Sequence, residues 1–277
     1  MNLSMILASF GGGVLGAYMG GLPAFILCGI VGLAGFAVQG DMNILGDVAF
    51  GFFLGPHIAF GGGGVAGAAF AKSIGCTQEG TDILTPLAKY NKPSIYLVGG
   101  VAGILACLAH YLYSQVLNLP IDQVALSVIT IGVLVRFTIG KTGLTGSCPI
   151  DGKSSRAFFP LKESIPSLCL VGLGLGLVSS YYAVEYDAVA LGFCISAASL
   201  AFTQMGFPLP STHHITLCSA YAAAATGNLL IGAIFGAIAA LMGDFCEKTF
   251  NSYCDSHIDP PATTISVLSL IIFTLLS

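Results

Sequence analysis

Charge is what this sequence has least of. Asp, Glu, Lys and Arg together make up 8% of its 277 residues, against roughly 25% in ordinary soluble domains. So few ionised groups cannot cover a water-facing surface, which excludes a soluble globule. Tryptophan is absent, so any aromatic belt at a membrane boundary would be built from Tyr and Phe. No polar stretch is long enough to fold as an independent extramembrane domain. The basic segments are too short and too mixed with acids to form a nucleic-acid surface. The first apolar segment has no basic residue before it and no small-residue cleavage site before the next run, so it reads as a retained helix.

Apolar residues fill the space that charge leaves, at 55% of the chain, with 37 glycines among the rest. A bilayer core about 30 Å thick needs about 20 mostly apolar residues per helix. Runs near residues 3–20, 22–40, 56–71, 94–117, 122–140, 166–184, 187–205, 210–226, 228–245 and 262–277 meet that need. They predict an all-α polytopic membrane protein with about ten transmembrane helices and the lipid bilayer as its first partner. Glycine suits such a chain, because helices in lipid associate by close backbone packing. Cys28, Cys107, Cys169, Cys194 and Cys218 lie inside apolar runs and read as small buried hydrophobes. Cys76, Cys148, Cys246 and Cys254 fall in loops or near helix ends, where a cytoplasmic location would keep them reduced.

The charges that do exist are segregated. With ten spans, all nine Lys and Arg fall on one side, in segments 72–93, 141–165 and 246–261 or at the helix ends facing them. Asp41, Asp47, Asp122, Glu185 and Asp187 fall on the other. The positive-inside rule makes the basic side cytoplasmic and puts both termini outside the cytoplasm of a multi-pass cell-membrane protein.

A repeat underlies this order. Gln39 matches Gln204 at an offset of 165, His57 matches His214 at 157, Gly99 and Gly103 match Gly232 and Gly236 at 133, and Ile121-Asp122 matches Ile258-Asp259 at 137. The expected organisation is one five-helix repeat over 1–140, a cytoplasmic connecting loop over 141–165 and a second repeat over 166–277. Because five is odd, the second repeat enters the membrane inverted, a plan common among secondary transporters.

Two breaks interrupt the repeats and carry the chemistry. Residues 41–55 are too apolar for a loop and end at Gly55-Pro56, which predicts a discontinuous helix over 41–71. Pro208 and Pro210 break a second over 204–226 and lead into Ser211-Thr212-His213-His214. A half-helix starting inside a membrane directs free N–H groups and the positive end of its dipole at a ligand. Pro210 suits the start of such a helix, and Ser211 or Thr212 its cap or a ligand hydroxyl. Buried histidines are costly and titrate near neutrality, so His57, His213 and His214 are the leading substrate-binding candidates. They converge only if both breaks reach the midplane; at the surfaces they would lie on opposite faces. Gln39 and Gln204, with amides that donate and accept, join them. Asp47 and Asp244 are candidates for coupling a proton or sodium ion, although Asp244 also fits a solvated helix end with Glu247 and Lys248. Gly61, Gly62, Gly63 and Gly64 read as a close-packing backbone surface, and His110 as a packed or interfacial residue.

Other patterns are set aside. Gly62 to Gly67 satisfies GxGxxG but lacks a strand-turn-helix setting. Gly140-Lys141-Thr142 would need glycine at 135, where valine stands. Cys246, Cys254, Asp255 and His257 fit no zinc spacing, and no cofactor, metal or catalytic constellation is expected. Pro210-Ser211-Thr212-His213-His214 resembles in outline the Ser-Thr-Thr-His stretch of inorganic phosphate permeases, whose paired Gly-Ala-Asn-Asp motifs are absent here. Histidines on inverted five-helix repeats are similar in plan to ammonium channels. Neither resemblance covers enough residues to carry function. The expectation is a permease, a secondary transporter of a small polar or ionic solute. The alternatives are a passive channel of the same architecture, a membrane subunit or an intramembrane enzyme. A homo-oligomer is compatible with this reading, with no stoichiometry specified.

Overall fold

A computed structural model describes residues 1–38, 42–151 and 153–276, and among these every regular element is helical. Gln39 and Asp41 lie outside the described residues. Helices α1 (Leu3–Met19) and α2 (Gly21–Ala37) meet at Gly20, whose φ of 90° favours glycine, and they bend by 118° there. After a short π-helical segment, Ile44–Ala49, the chain turns and enters a second, Pro56–Val65, which runs on into α3 (Ala66–Ser73). Helix α4 (Pro93–Tyr111) is extended by Leu112–Val116 and followed by α5 (Gln123–Thr138). The second part contains α6 (Ile165–Tyr186), α7 (Leu191–Ser199), α8 (Ala201–Gln204), α9 (His213–Thr226), α10 (Leu229–Phe250) and α11 (Pro260–Leu275).

Among the described residues, three stretches are long and apolar enough to cross a bilayer: Pro93–Val116, Ile165–Tyr186 and Leu229–Phe250. The bent α1–α2 pair makes a fourth if it counts as one span. Helices α5 and α11 are apolar but have 16 residues each, about 24 Å of helix against a core of about 30 Å. The apolar runs thus resolve into helices of unequal length, because caps, Gly and Pro end the hydrogen-bond ladder before hydropathy ends. Asn2, Asp122, Asn228 and Asp259 each accept an early backbone N–H of α1, α5, α10 and α11, at 2.7–2.9 Å. Prolines occupy the first turns of α4, α6 and α11.

Two similar packing groups emerge. Helices α1 and α4 pack on each other and on Pro56–Val65, with α5 alongside; α6 and α10 pack on each other and on α9, with α11 alongside. Two helix pairs join the groups: α2 with α7, and α5 with α11. Gly29 lies against Ala197 and Ala198, while Gly32 lies against Cys194. The Asp122 N–H donates to Ser269 Oγ at 2.9 Å, and Gly132 lies beside His257 and Ile258, so α5 and α11 run antiparallel.

Basic residues tie down one end. The fully buried Arg136 guanidinium donates to Ser256 Oγ at 2.6 Å and to the carbonyls of Leu144 and Phe250 at 2.8 and 2.9 Å. Arg156 reaches the carbonyls of Gly146 and Thr249 at 3.1 and 2.8 Å. Asp255 accepts from the Lys141 N–H at 2.6 Å and the Thr142 hydroxyl at 2.7 Å. The 141–165 segment is therefore docked on the 248–256 turn. Burial alone would raise the Asp255 carboxyl, but these two donors outweigh it and hold it below the ordinary carboxylate range.

Candidate functional site

A cavity of about 1850 Å³ lies where the two packing groups meet, with walls from α2, α5, α6, α7, α9, α10 and α11. Its lining includes Ser211, Thr212, His213 and His214. They arrive there because α8 ends at Gln204 and the chain runs irregularly until His213, the first residue of α9. The helix begins three residues after Pro210. Thr212 holds the N-cap position, yet its hydroxyl turns away from the helix and donates to Ser196 Oγ at 3.1 Å. Ser196 lies 3.5 Å from Thr216 Oγ1, which also donates to the His213 carbonyl at 3.1 Å. These hydroxyls fix the first turn of α9 from behind.

Both histidines of that turn are 6% exposed. The His213 ring packs on Phe25 and Phe193, with centroids 4.6 and 5.3 Å away. His214 lies directly over Gly243 of α10; a Cβ there would come within 2.9 Å of its Cδ2. The Nδ1 atom of each ring is buried without a hydrogen-bond partner. A buried donor or acceptor left unpaired costs about 1–3 kcal/mol.

Among the described residues, four carboxylates also line the cavity, and two of them, Asp259 and Asp122, cap helices. Asp259 caps α11 through Oδ2, and its Oδ1 lies 3.3 Å from His257 Nε2. Asp122 caps α5 through Oδ1 and accepts the Tyr221 hydroxyl on Oδ2 at 2.7 Å. Neither aspartate is singled out by its local sequence as a site residue. The signal was present only in the Ile121-Asp122 and Ile258-Asp259 match, which marks equivalent helix starts. Tyr221 and His257 carry no sequence signal of their own.

The other candidates lie apart from this wall. His57 is 1% exposed and does not line the cavity; its ring stacks on His110 at 4.7 Å, and neither of its nitrogens has a partner. Gln204 is exposed and donates to the Leu84 carbonyl at 3.0 Å. Asp47 is exposed within Ile44–Ala49. Asp244 reaches the cavity and forms an ion pair with Lys248 one turn on. Gly61 to Gly64 are buried in Pro56–Val65. A Cβ on Gly62 would meet Gly103 Cα at 2.7 Å, and one on Gly63 would meet Gly16 Cα at 2.7 Å, whereas one on Gly61 would stand 3.5 Å from its nearest neighbours. Among the described residues no group of three or more His, Cys, Asp or Glu is placed to hold a metal.

Compared with known proteins, the chain matches the model of a family of unknown function, DUF7973, over residues 1–152 and 156–277. It therefore belongs to that family. No curated protein and no solved structure matches it.

Proposed function

We propose that this chain is a membrane permease, a secondary transporter of a small polar or ionic solute, built from two inverted five-helix repeats with about ten membrane crossings. The observation that carries the reading is the cavity between the packing groups, with the unpaired, buried His213 and His214 at the start of a helix that follows a break. Solute would bind against these histidines with Ser211 and Thr212 alongside, and one repeat would rock against the other.

Reciprocal contacts support the inverted plan. At an offset of 165, Gly29 corresponds to Cys194 and Gly32 to Ala197, and Gly29 touches Ala197 while Gly32 touches Cys194. At an offset of 137, Asp122 corresponds to Asp259 and Gly132 to Ser269; Asp122 bonds Ser269, while Gly132 lies next to Ile258, the neighbour of Asp259. A two-fold relation generates such mutual pairs. The gathering of Arg136, Lys141, Arg156 and Lys248 at one end supports a single basic face, which the positive-inside rule makes cytoplasmic.

Solid-supported-membrane electrophysiology on proteoliposomes tests the transport reading. Jumps of small amines, carboxylates and amino acids under a proton or sodium gradient are expected to give a saturable current that vanishes in the H213A/H214A double variant. Equal currents in both proteins would sink the assignment, and flux indifferent to the gradient would make it a channel. Topology is read from thiols: Cys76, Cys148 and Cys254 should resist an impermeant maleimide in intact cells and react after lysis. Cys246, only 1% exposed, should stay unlabelled throughout. Labelling of Cys76 from outside would reverse the orientation.

A further inference from the structure

The cavity's charge is one-sided. Among the described residues, four carboxylates line it, from Asp122, Asp244, Glu247 and Asp259, and no lysine or arginine does. Only Asp244 is ion-paired with a lysine. Asp122 is held by the Tyr221 hydroxyl and a backbone N–H, and Glu247 by the Asn251 side-chain amide at 3.0 Å. Carboxylates in a low-dielectric wall focus a negative potential into the space between them. Their placement also spans the cavity. Asp122 meets α11 at Ser269, ten residues beyond Asp259, which is about 15 Å along the helix.

Size and lining narrow the ligand further. A site of about 1850 Å³ exceeds the roughly 300–1,000 Å³ of a drug-sized pocket. A bare inorganic ion would need a tight oxygen cage instead. Aromatic rings from Phe25, Phe50, Phe60, Phe193, Tyr221 and Phe273 face the same space, and ring faces attract cations. His213 and His214, with their unpaired Nδ1 atoms, line the wall between.

We propose that the ligand is an amphipathic organic cation, an ammonium head on an apolar body, with Asp259 as its charge-recognition point. This rests on the permease reading and names its substrate class. Its test is equilibrium dialysis of the detergent-purified protein against radiolabelled benzylamine, benzoate and benzyl alcohol, which share a ring and differ in charge. Benzylamine is expected to bind saturably and to be displaced by tetraethylammonium. Benzoate and benzyl alcohol should bind at least about tenfold more weakly, a difference of about 1.4 kcal/mol. Asp259→Asn should weaken benzylamine binding about tenfold, while Asp259→Glu keeps it. If a variant is not monodisperse by gel filtration, the three-ligand comparison on the unaltered protein decides alone. Benzoate or benzyl alcohol binding as tightly as benzylamine, or no saturable benzylamine binding, overturns the proposal. Gradient-driven flux of an anion that needs His213 and His214 would do so while leaving the permease standing. Saturable benzylamine binding without flux under any gradient would sink the permease alone.

Discussion

The two helix breaks share a His-Ile pair and end in different environments. Aligned at His57 and His214, the first continues Ile-Ala-Phe-Gly-Gly-Gly-Gly and the second Ile-Thr-Leu-Cys-Ser-Ala-Tyr. Gly62, Gly63 and Gly64 let α4, α1 and α2 approach to backbone contact, and the His57 ring packs against His110. In the second half, Tyr221 stands where Gly64 does in the first, and it reaches Asp122 across the cavity. Where the first half has His110, the second has Gly243, and the His214 ring occupies the vacated space. The first break is packed shut and the second carries the polar wall. Equivalent positions therefore need not share a role, because one or two side-chain volumes decide whether a break is closed or lined.

The sharpest way to break this comparison is to exchange leucine for the paired histidines. His214→Leu is expected to abolish uptake, a loss of at least about a hundredfold if the imidazole contacts solute in the transition step. His57→Leu should leave uptake within about twofold and hold or raise the melting temperature, since it removes a buried group with no partner. Equal loss of uptake in both would restore His57 to the site. The next effect is on stability. Gly63→Ala should cost about 1–3 kcal/mol, with a lower melting temperature in detergent, because its Cβ would run into backbone. Gly61→Ala should cost less than about 1 kcal/mol. A tolerated Gly63→Ala would mean that the first break is not sealed by backbone contact.

Gly243→Ala tests the space beneath His214. It is expected to tilt that ring and lower uptake about tenfold with little change in folding, since a small misplacement at a site is costly; unchanged uptake would separate the ring from the site. The smallest effect belongs to the seam joining the halves. The Asp255 carboxyl is held below its ordinary range, so its contribution is full above the unfolded carboxylate pKa of about 4 and is lost as pH falls through the lower folded value. Asp255→Asn should reduce thermal stability slightly at pH 7, with the difference from wild type shrinking toward pH 3. A difference that grows on acidification would refute the sign.

Much of the fold was legible because it follows from local rules. Apolar runs located the helices, and capping Asn and Asp with first-turn prolines fixed their starts. The breaks at 50–55 and 205–212 follow from glycine and proline chemistry that any reader of the chain can apply. The site was only half legible. Histidines beside a break announce themselves, because burying them is costly wherever they lie. Asp122, His257 and Asp259 look like ordinary residues at helix starts and Tyr221 like an ordinary one inside α9, since nothing in their neighbourhoods tells which surface they face. Arg136 looked like one of several basic helix ends, yet it is buried by carbonyls from segments more than 100 positions away.

The sequence by itself determined that this is an all-helical apolar chain with two breaks, each followed by histidine. Charge scarcity and backbone chemistry act residue by residue and need no partner. Only the tertiary structure decided which break is sealed, which histidines line the cavity and which carboxylates face them. Those outcomes depend on the volume that one helix leaves for another, as Gly243 leaves for His214, and volume is a property of the packed pair rather than of either strand of sequence.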